Sequence, residues 1–199
     1  MMQIMLTSGP LQSLALHAAA ILVLSAQAMP IGHETRGPFD GIPGVTIVDY
    51  DVAGRTPKAI RHSIDAARPT DTNDGTRVDG LSRWNVRWRW QNDGRGHCST
   101  TQEDISFSAT VTVPRLSDAK VSPAVQEQFD RYRKSLLAHE EGHVRYAWDH
   151  RNDIVKAINT AGCDKAGAAA KAALAIIASH DVAFDRETHH GGSTIAAFG

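Results

Sequence analysis

Two histidines and a glutamate in the middle of the chain have the residue types and spacing of a metal site. The run His139-Glu140-Glu141-Gly142-His143 places the histidines four residues apart, with Glu140 directly after the first. Positions i and i+4 of a helix lie one turn apart on one face, so both imidazoles can bind a single tetrahedral Zn²⁺. Glu140 lies about 100° further round the helix, where it can take a proton from a water beside the metal. The pattern therefore predicts zinc-dependent hydrolysis.

A catalytic zinc ion takes three protein ligands and leaves one position open, so the chain must supply a third. His150 is roughly 10 Å along the helix from His143 and is too distant. The metzincin arrangement needs a glycine and a further ligand where this chain has Tyr146 and Asp149. Without that glycine the helix has no break, which excludes the class. The third ligand is expected downstream, among Asp164, His180, Asp181, Asp185, Glu187, His189 and His190.

The helix that must carry the motif begins at Ser122-Pro123, an N-cap followed by proline at the first helical position. It is predicted to end near Gly162, and an Ala-rich second helix follows over about residues 165–178. Apolar residues recur at helical spacing, and the two histidines fall on the same inward stripe. A single histidine on this buried face would be unfavourable, whereas two histidines that bind one metal ion would explain their burial. The other members of the stripe are Val125, Phe129, Tyr132, Leu136, Ala147, Ile154 and Ile158.

Three segments have the pattern of β-strands. Residues 45–54 are rich in β-branched side chains, whereas Trp84–Trp90 and Ile105–Val113 alternate apolar and polar residues. The last two are joined by a loop, which favours an antiparallel pair. Interleaved Arg and Trp also suit base stacking, but the neutral overall charge favours a half-buried strand. We expect an α+β, zincin-like fold, in which a small antiparallel β-sheet packs against the long motif-bearing helix and a shorter helix.

The first 28 residues contain no Asp, Glu, Lys or Arg. The apolar run Leu14–Leu24 precedes Ala26-Gln27-Ala28, a small-x-small cleavage pattern. The run is shorter than the roughly 20 residues that span a bilayer. We expect a periplasmic or secreted protein, cleaved after Ala28 and without a stable membrane anchor once cleaved. The alternatives are a non-cleaved anchor or a different start codon, because no Lys or Arg precedes the run.

Length and charge bound the remaining possibilities. A chain of 199 residues suits one domain with a sizeable core. The net charge of −1 argues against a nucleic-acid partner or an anionic membrane. Cys98 and Cys163 most often form a disulfide in an exported protein, and stay unpaired in a cytosolic one. The predicted organisation is a signal peptide (1–28), a linker (29–44), a single domain (45–191) and a C-terminal tail (192–199).

Over residues 45–191 the chain resembles the bacterial family called domain of unknown function 922, described as predicted secreted zinc-dependent proteases. The motifs that carry the resemblance are Tyr50-Asp51-Val52-x-Gly54, the Trp-rich strand with Cys98, His139-Glu140-x-x-His143 and Asp185-x-x-Thr188-x-His190-Gly191. The resemblance implies that His190 is the third ligand, ahead of His189, and that Cys98 pairs with Cys163. One departure is Phe184, where the family usually has Tyr. The missing hydroxyl removes a hydrogen-bond or oxyanion donor, for which Tyr146 is a weak substitute.

The function expected is an exported zinc metallopeptidase acting on a peptide or protein substrate. His139, His143 and His190 bind Zn²⁺, and Glu140 is the general base. Asp185 orients a ligand imidazole or itself binds the metal, and His189 is a further alternative ligand. Two other functions stay open, a non-catalytic zinc-binding envelope module and a zinc hydrolase of a non-peptide cell-wall amide. Glu140 favours catalysis, because a structural zinc site needs no base.

Overall fold

The computed structural model describes residues 37–118 and 120–199. The predicted signal peptide and residues 29–36 of the predicted linker lie outside these ranges. In the described residues, one three-stranded sheet and one two-stranded hairpin combine with four α-helices. The elements in chain order are β1 (Val45–Val52), α1 (Pro57–Ala67), β2 (Leu81–Trp88), β3 (Gln91–Asn92), β4 (Cys98–Ser99), β5 (Ile105–Leu116), α2 (Pro123–His150), α3 (Asn152–Thr160) and α4 (Ala166–Thr188).

The three-stranded sheet has the order β1-β5-β2. β2 and β5 are antiparallel, with Trp84 opposite Ala109, as their alternation and connecting loop predicted. β1 lies on the other side of β5 and runs parallel to it, with Val45 opposite the same Ala109. The α+β class is confirmed, but the sheet is mixed rather than antiparallel throughout. Alternation reports which face of a strand is buried and carries no information on its direction, so the sequence did not reveal the parallel pair.

The core lies between one face of this sheet and α2. Val111 and Val113 of β5 are fully buried, as are Ile60 and Ile64 of α1. Two segments assigned outside the domain also contribute apolar side chains. Ile42, from the predicted linker, is 6% exposed, and Phe198, from the predicted tail, is 6% exposed. Phe198 stacks on Tyr132 of α2 with a centroid distance of 5.3 Å.

Helix α2 starts as predicted, with the Ser122 hydroxyl accepting a hydrogen bond from the amide of Val125. It ends at His150, and after Arg151 the chain continues as α3 to Thr160. The two segments form one long bent helix rather than a single straight one. The inward stripe is confirmed, since its members from Phe129 onward are buried. The buried residues are Phe129, Tyr132, Leu136, His139, His143, Ala147, Ile154 and Ile158.

Helix α4 continues to Thr188, well past the predicted end near residue 178. No Gly or Pro interrupts residues 168–188, so nothing in the backbone stops the helix before His189, which takes a left-handed φ of 54°. By length and composition alone α4 is apolar enough to cross a membrane, a test that the core helices of soluble proteins also pass. It packs on α3 and α2, with Ala166, Ala170 and Ile177 buried.

The disulfide between Cys98 and Cys163 is confirmed. It joins β4 to the turn between α3 and α4. The amide of Cys163 also donates to the carbonyl of Gly96 at 3.2 Å, and Thr100 and Asn159 exchange two hydrogen bonds of 2.8 and 2.9 Å. The hairpin beyond β2 is thus fastened to the helical layer by one covalent bond and several hydrogen bonds.

Candidate metal centre

The two histidines of the motif converge on a carboxylate from α4. Nε2 of His143 lies 3.2 Å from Oδ1 of Asp185, and Nε2 of His139 lies 3.5 Å from the same oxygen. Ligand atoms of these three residues all lie within 4.8 Å of one another. Four ligand atoms at 2.0–2.1 Å from a tetrahedral zinc are about 3.3–3.4 Å apart. The distances from Oδ1 of Asp185 to the two Nε2 atoms therefore match neighbouring positions around one metal ion.

The donor set and its surroundings fit a divalent metal. His139 is 5% exposed and His143 is 6% exposed. Both imidazoles are therefore largely removed from water, and the Nε2 atom of each faces the carboxylate of Asp185. Two imidazole nitrogens and one carboxylate oxygen form a set that binds Zn²⁺ well. These residues could hold zinc.

His190 approaches the same carboxylate from the end of α4. Its Nδ1 lies 3.7 Å from Oδ1 of Asp185, and its Nε2 lies 3.1 Å from Oδ2 of Asp74. His189, His190 and Gly191 have φ angles of 54°, 50° and 81°. This left-handed run turns the chain back over α2, and the His190 amide donates to the Asp185 carbonyl at 2.8 Å.

The structure brings only some of the downstream ligand candidates close to His139 and His143. Ligand atoms of Asp185, His139 and His143 lie together in one group. His190 lies beside this group and forms a second one with Asp71 and Asp74. His189 lines a different depression, beside Arg61 and Arg68. His180 stacks on Tyr146 at 3.4 Å. Asp164 and Glu187 belong to neither group.

Asp181 orients one of the imidazoles. Its Oδ1 lies 3.3 Å from Nδ1 of His143, and its Oδ2 accepts a 2.6 Å hydrogen bond from Nε1 of Trp84. Burial opposes charge on His143, but the hydrogen bonds to Asp181 and Asp185 outweigh it and raise the pKa of His143 to about 10. Burial likewise opposes charge on Asp185, but contacts with His139 and His143 hold the pKa of that carboxyl well below its usual range. The orienting role suggested for Asp185 stays a prediction, and Asp181 is a further carboxylate that contacts His143.

Glu140 lies in the same cleft and is almost completely buried, with 3% exposure. The hydroxyl of Ser82 in β2 donates to its Oε2 at 2.7 Å. Burial raises the pKa of Glu140, and the Ser82 hydrogen bond partly opposes that rise. Gly80 packs directly against this carboxylate, because a Cβ at that position would collide with Oε1 of Glu140. Ser82 and Gly80 were missed by the sequence analysis, since neither residue type signals chemistry by itself.

Phe184 supports both imidazoles. Its ring stacks on His139 with a centroid distance of 5.0 Å and meets His143 edge-on at 4.9 Å. It carries no hydroxyl to offer a substrate. Tyr146, the suggested substitute, stacks between His150 and His180 and is not among the residues that line the cleft.

The cleft itself is narrow, with a volume of about 30 Å³. It opens along β2 into a wider depression of about 380 Å³. The two share the lining residues Asp71, Asn73, Leu81, Ser82 and Asp181. The residues lining the narrow cleft are Asp71, Asn73, Val78, Gly80, Leu81, Ser82, His139, Glu140, His143, Asp181, Asp185 and His190.

Comparison with known proteins identifies the family. The model of the family described as bacterial protein of unknown function (DUF922) matches residues 47–191. No curated protein and no solved structure matches the chain significantly. The matched region covers well over half of the sequence and includes both histidines of the motif, Glu140, Asp185 and His190. The chain therefore belongs to the bacterial family of unknown function DUF922.

Proposed function

We propose that this protein is an exported zinc-dependent metallopeptidase. The observation that carries the proposal is the convergence of His139, His143 and Asp185 in a cleft that also holds the buried carboxylate of Glu140. A purely structural zinc site needs the ligands but gains nothing from a desolvated carboxylate beside them. Export rests on the composition of residues 1–28.

The metal is held by the two imidazoles of α2 and by groups at the end of α4. The spacing favours Asp185 as the third ligand, and the family resemblance favours His190. Bound zinc polarises the scissile carbonyl and makes water more acidic. Asp181 fixes the ring of His143, because it faces the imidazole nitrogen that points away from Asp185.

Glu140 performs the proton transfers. As a carboxylate it takes a proton from the attacking water while the water oxygen bonds to the carbonyl carbon. It then gives that proton to the amine nitrogen as the carbon–nitrogen bond breaks. Burial raises the pKa of Glu140, which makes the carboxylate a better base than an exposed glutamate. The Ser82 hydroxyl holds one of its oxygens.

The test is zinc content and peptidase activity of the purified protein, compared with Glu140→Gln. We expect one zinc per chain in both proteins and a loss of activity of at least about a hundredfold in the variant, the usual contribution of a general base. Glu141→Gln is the matched control, since Glu141 pairs with Arg145 and does not line the cleft.

Two experimental results would support one of the alternative functions instead. A protein that binds one zinc but cleaves nothing in a broad peptide library would be a zinc-binding envelope module. Cleavage of a cell-wall amide, without peptidase activity, would identify the non-peptide hydrolase. Separate zinc measurements on Asp185→Ala and His190→Ala assign the third ligand, because loss of the true ligand lowers zinc retention most.

A further inference from the structure

The loop between α1 and β2 reaches the metal centre. Asp71 and Asn73 line the cleft, and the carboxylate of Asp74 contacts His190. The turn of this loop is closed by backbone hydrogen bonds from Asp71 to Thr76 at 2.8 Å and from Gly75 to Asp71 at 2.9 Å. The side chain of Asp71 accepts a further bond from the amide of Asn73 at 2.9 Å. The base of the turn is held by the bridge between Thr70 and Arg77. The loop is thus a defined turn with Asp74 near its tip.

Both oxygens of the Asp74 carboxylate are used. Oδ1 accepts a 2.8 Å hydrogen bond from the amide of Thr76, which fixes the side chain to its own loop. Oδ2 lies 3.1 Å from Nε2 of His190. The contact joins two segments distant in sequence, since Asp74 belongs to the α1–β2 connection and His190 follows α4.

This contact determines how the ring of His190 is presented. The side chain of His190 is 29% exposed and extends from left-handed backbone beyond the end of α4. A carboxylate facing Nε2 requires the proton on that nitrogen, which leaves the lone pair of the neutral ring on Nδ1. Nδ1 is the nitrogen that faces Asp185, at 3.7 Å. The available lone pair therefore points towards the proposed metal.

We propose that Asp74 is a positioning residue of the metal centre, which holds the Nε2–H of His190 so that Nδ1 binds the metal. This rests on the proposed function, because it needs a metal at His139 and His143. A carboxylate behind a ligating histidine fixes the ring and strengthens the ligand, and its loss typically lowers metal affinity by 10- to 100-fold. The loop between α1 and β2 thus contributes to the metal centre through Asp74.

Zinc affinity, measured by competition with a chelator, tests the proposal without any substrate. We expect Asp74→Ala to bind zinc roughly 10- to 100-fold more weakly. Asp74→Asn should lose affinity as well, because an amide whose oxygen accepts the Thr76 bond turns its NH2 group, a donor, towards Nε2 of His190. The visible spectrum of the cobalt-substituted protein should change in Asp74→Ala, since it reports the ligands of the metal.

Asp93→Ala is the matched control. Asp93 is also an exposed loop carboxylate that accepts backbone hydrogen bonds, from Arg95 and His97.

The double variant Asp74→Ala/His190→Ala shows whether Asp74 acts through His190. We expect it to bind zinc as weakly as His190→Ala alone, because the ring that Asp74 orients is already absent. An equal further loss in the double variant would overturn the proposal, and so would unchanged affinity in His190→Ala. A wild-type protein that binds no zinc would instead refute the proposed function itself.

Discussion

The ring of Phe184 lies directly against Gly142, since a Cβ at Gly142 would be only 2.9 Å from Cζ of Phe184. A glycine in a helix interior is less favourable than alanine by about 1 kcal/mol. The close contact gives that glycine a function. It lets α4 approach α2 until Phe184 stacks on His139 at 5.0 Å and Asp185 reaches both imidazoles.

Gly142→Ala should therefore weaken zinc binding. The added methyl group gains up to about 1 kcal/mol of helix propensity, but overpacking against the ring costs about 1–3 kcal/mol and displaces α4. We expect lower zinc affinity and a lower midpoint of urea unfolding. Gly167→Ala is the control, because its Cβ would meet Trp90 at an ordinary 3.6 Å and should stabilise α4. Wild-type zinc affinity in Gly142→Ala would show that the close approach is unnecessary.

Ser82→Ala should move the acidic limb of the peptidase pH profile to higher pH. Burial raises the pKa of Glu140, and the Ser82 hydroxyl opposes that rise by donating to the carboxylate. Without the hydroxyl the pKa rises further, so less of the base is ionised at a given acidic pH. A hydrogen bond to a charged group contributes about 1.5–3 kcal/mol, so kcat/KM below the limb should fall roughly tenfold or more.

The measurement is kcat/KM against pH for both proteins, with zinc content checked at each pH. Ser179→Ala is the control, since its hydroxyl donates to a carbonyl of its own helix, that of Ile176. An unshifted limb with uniformly lower activity would mean that Ser82 does not act on the ionisation of Glu140.

Asp181→Asn should lower zinc affinity by about tenfold. The carboxylate faces Nδ1 of His143 with one oxygen and accepts from Trp84 with the other. An amide has a single acceptor oxygen, so it can satisfy only one of these two donors. Chelator competition measures the loss. Trp84→Phe should have a smaller effect, because it leaves the carboxylate on His143, and the exposed Asp149→Asn should have none. Equal losses in Trp84→Phe and Asp181→Asn would show that packing of Trp84 matters more than orientation of the imidazole.

The sequence was sufficient to predict the helix that carries the motif and the faces of the strands. The inward stripe of α2 follows from a 3.6-residue period, and that period is a local property of the chain. The position of His139 and His143 on the buried face could be deduced in the same way. Local patterns of this kind need no knowledge of what the element packs against.

The partners of the motif could not be derived in that way. Asp181 and Asp185 were among several polar residues in a segment that was predicted to follow the helix, whereas the segment is the last part of α4. Helical phase then puts Asp181 and Asp185 one turn apart on one face. Asp74 and Ser82 reach the site from a loop and an edge strand. Their roles depend on tertiary contacts between residues distant in sequence, which residue type alone does not indicate.

The segment before β2 is held by a partly buried ion pair between Arg61 and Asp79. Arg61 donates to both oxygens of Asp79 at 2.6 and 2.7 Å, and the Tyr132 hydroxyl donates at 2.8 Å. Asp79 directly precedes Gly80, which packs against Glu140. Burial opposes charge on Asp79, but the bonds from Arg61 and Tyr132 outweigh it and keep the pKa of this carboxyl below its usual value.

Asp79→Asn should destabilise the fold by about 2 kcal/mol at pH 7, less than for a fully buried pair because Arg61 and Asp79 keep some solvent contact. A depressed folded-state pKa contributes stability above the unfolded pKa of about 3.9, and this contribution is lost as pH falls below it. The difference between wild type and Asp79→Asn should therefore shrink below about pH 4. Urea unfolding at several pH values measures this difference in stability.

The control is Asp51→Asn, which removes the exposed pair with Arg115 and should change stability by less than about 1 kcal/mol. A deficit that stays constant down to the acid limit of folding would mean that shape, and not the charge of Asp79, fixes the segment that carries Gly80.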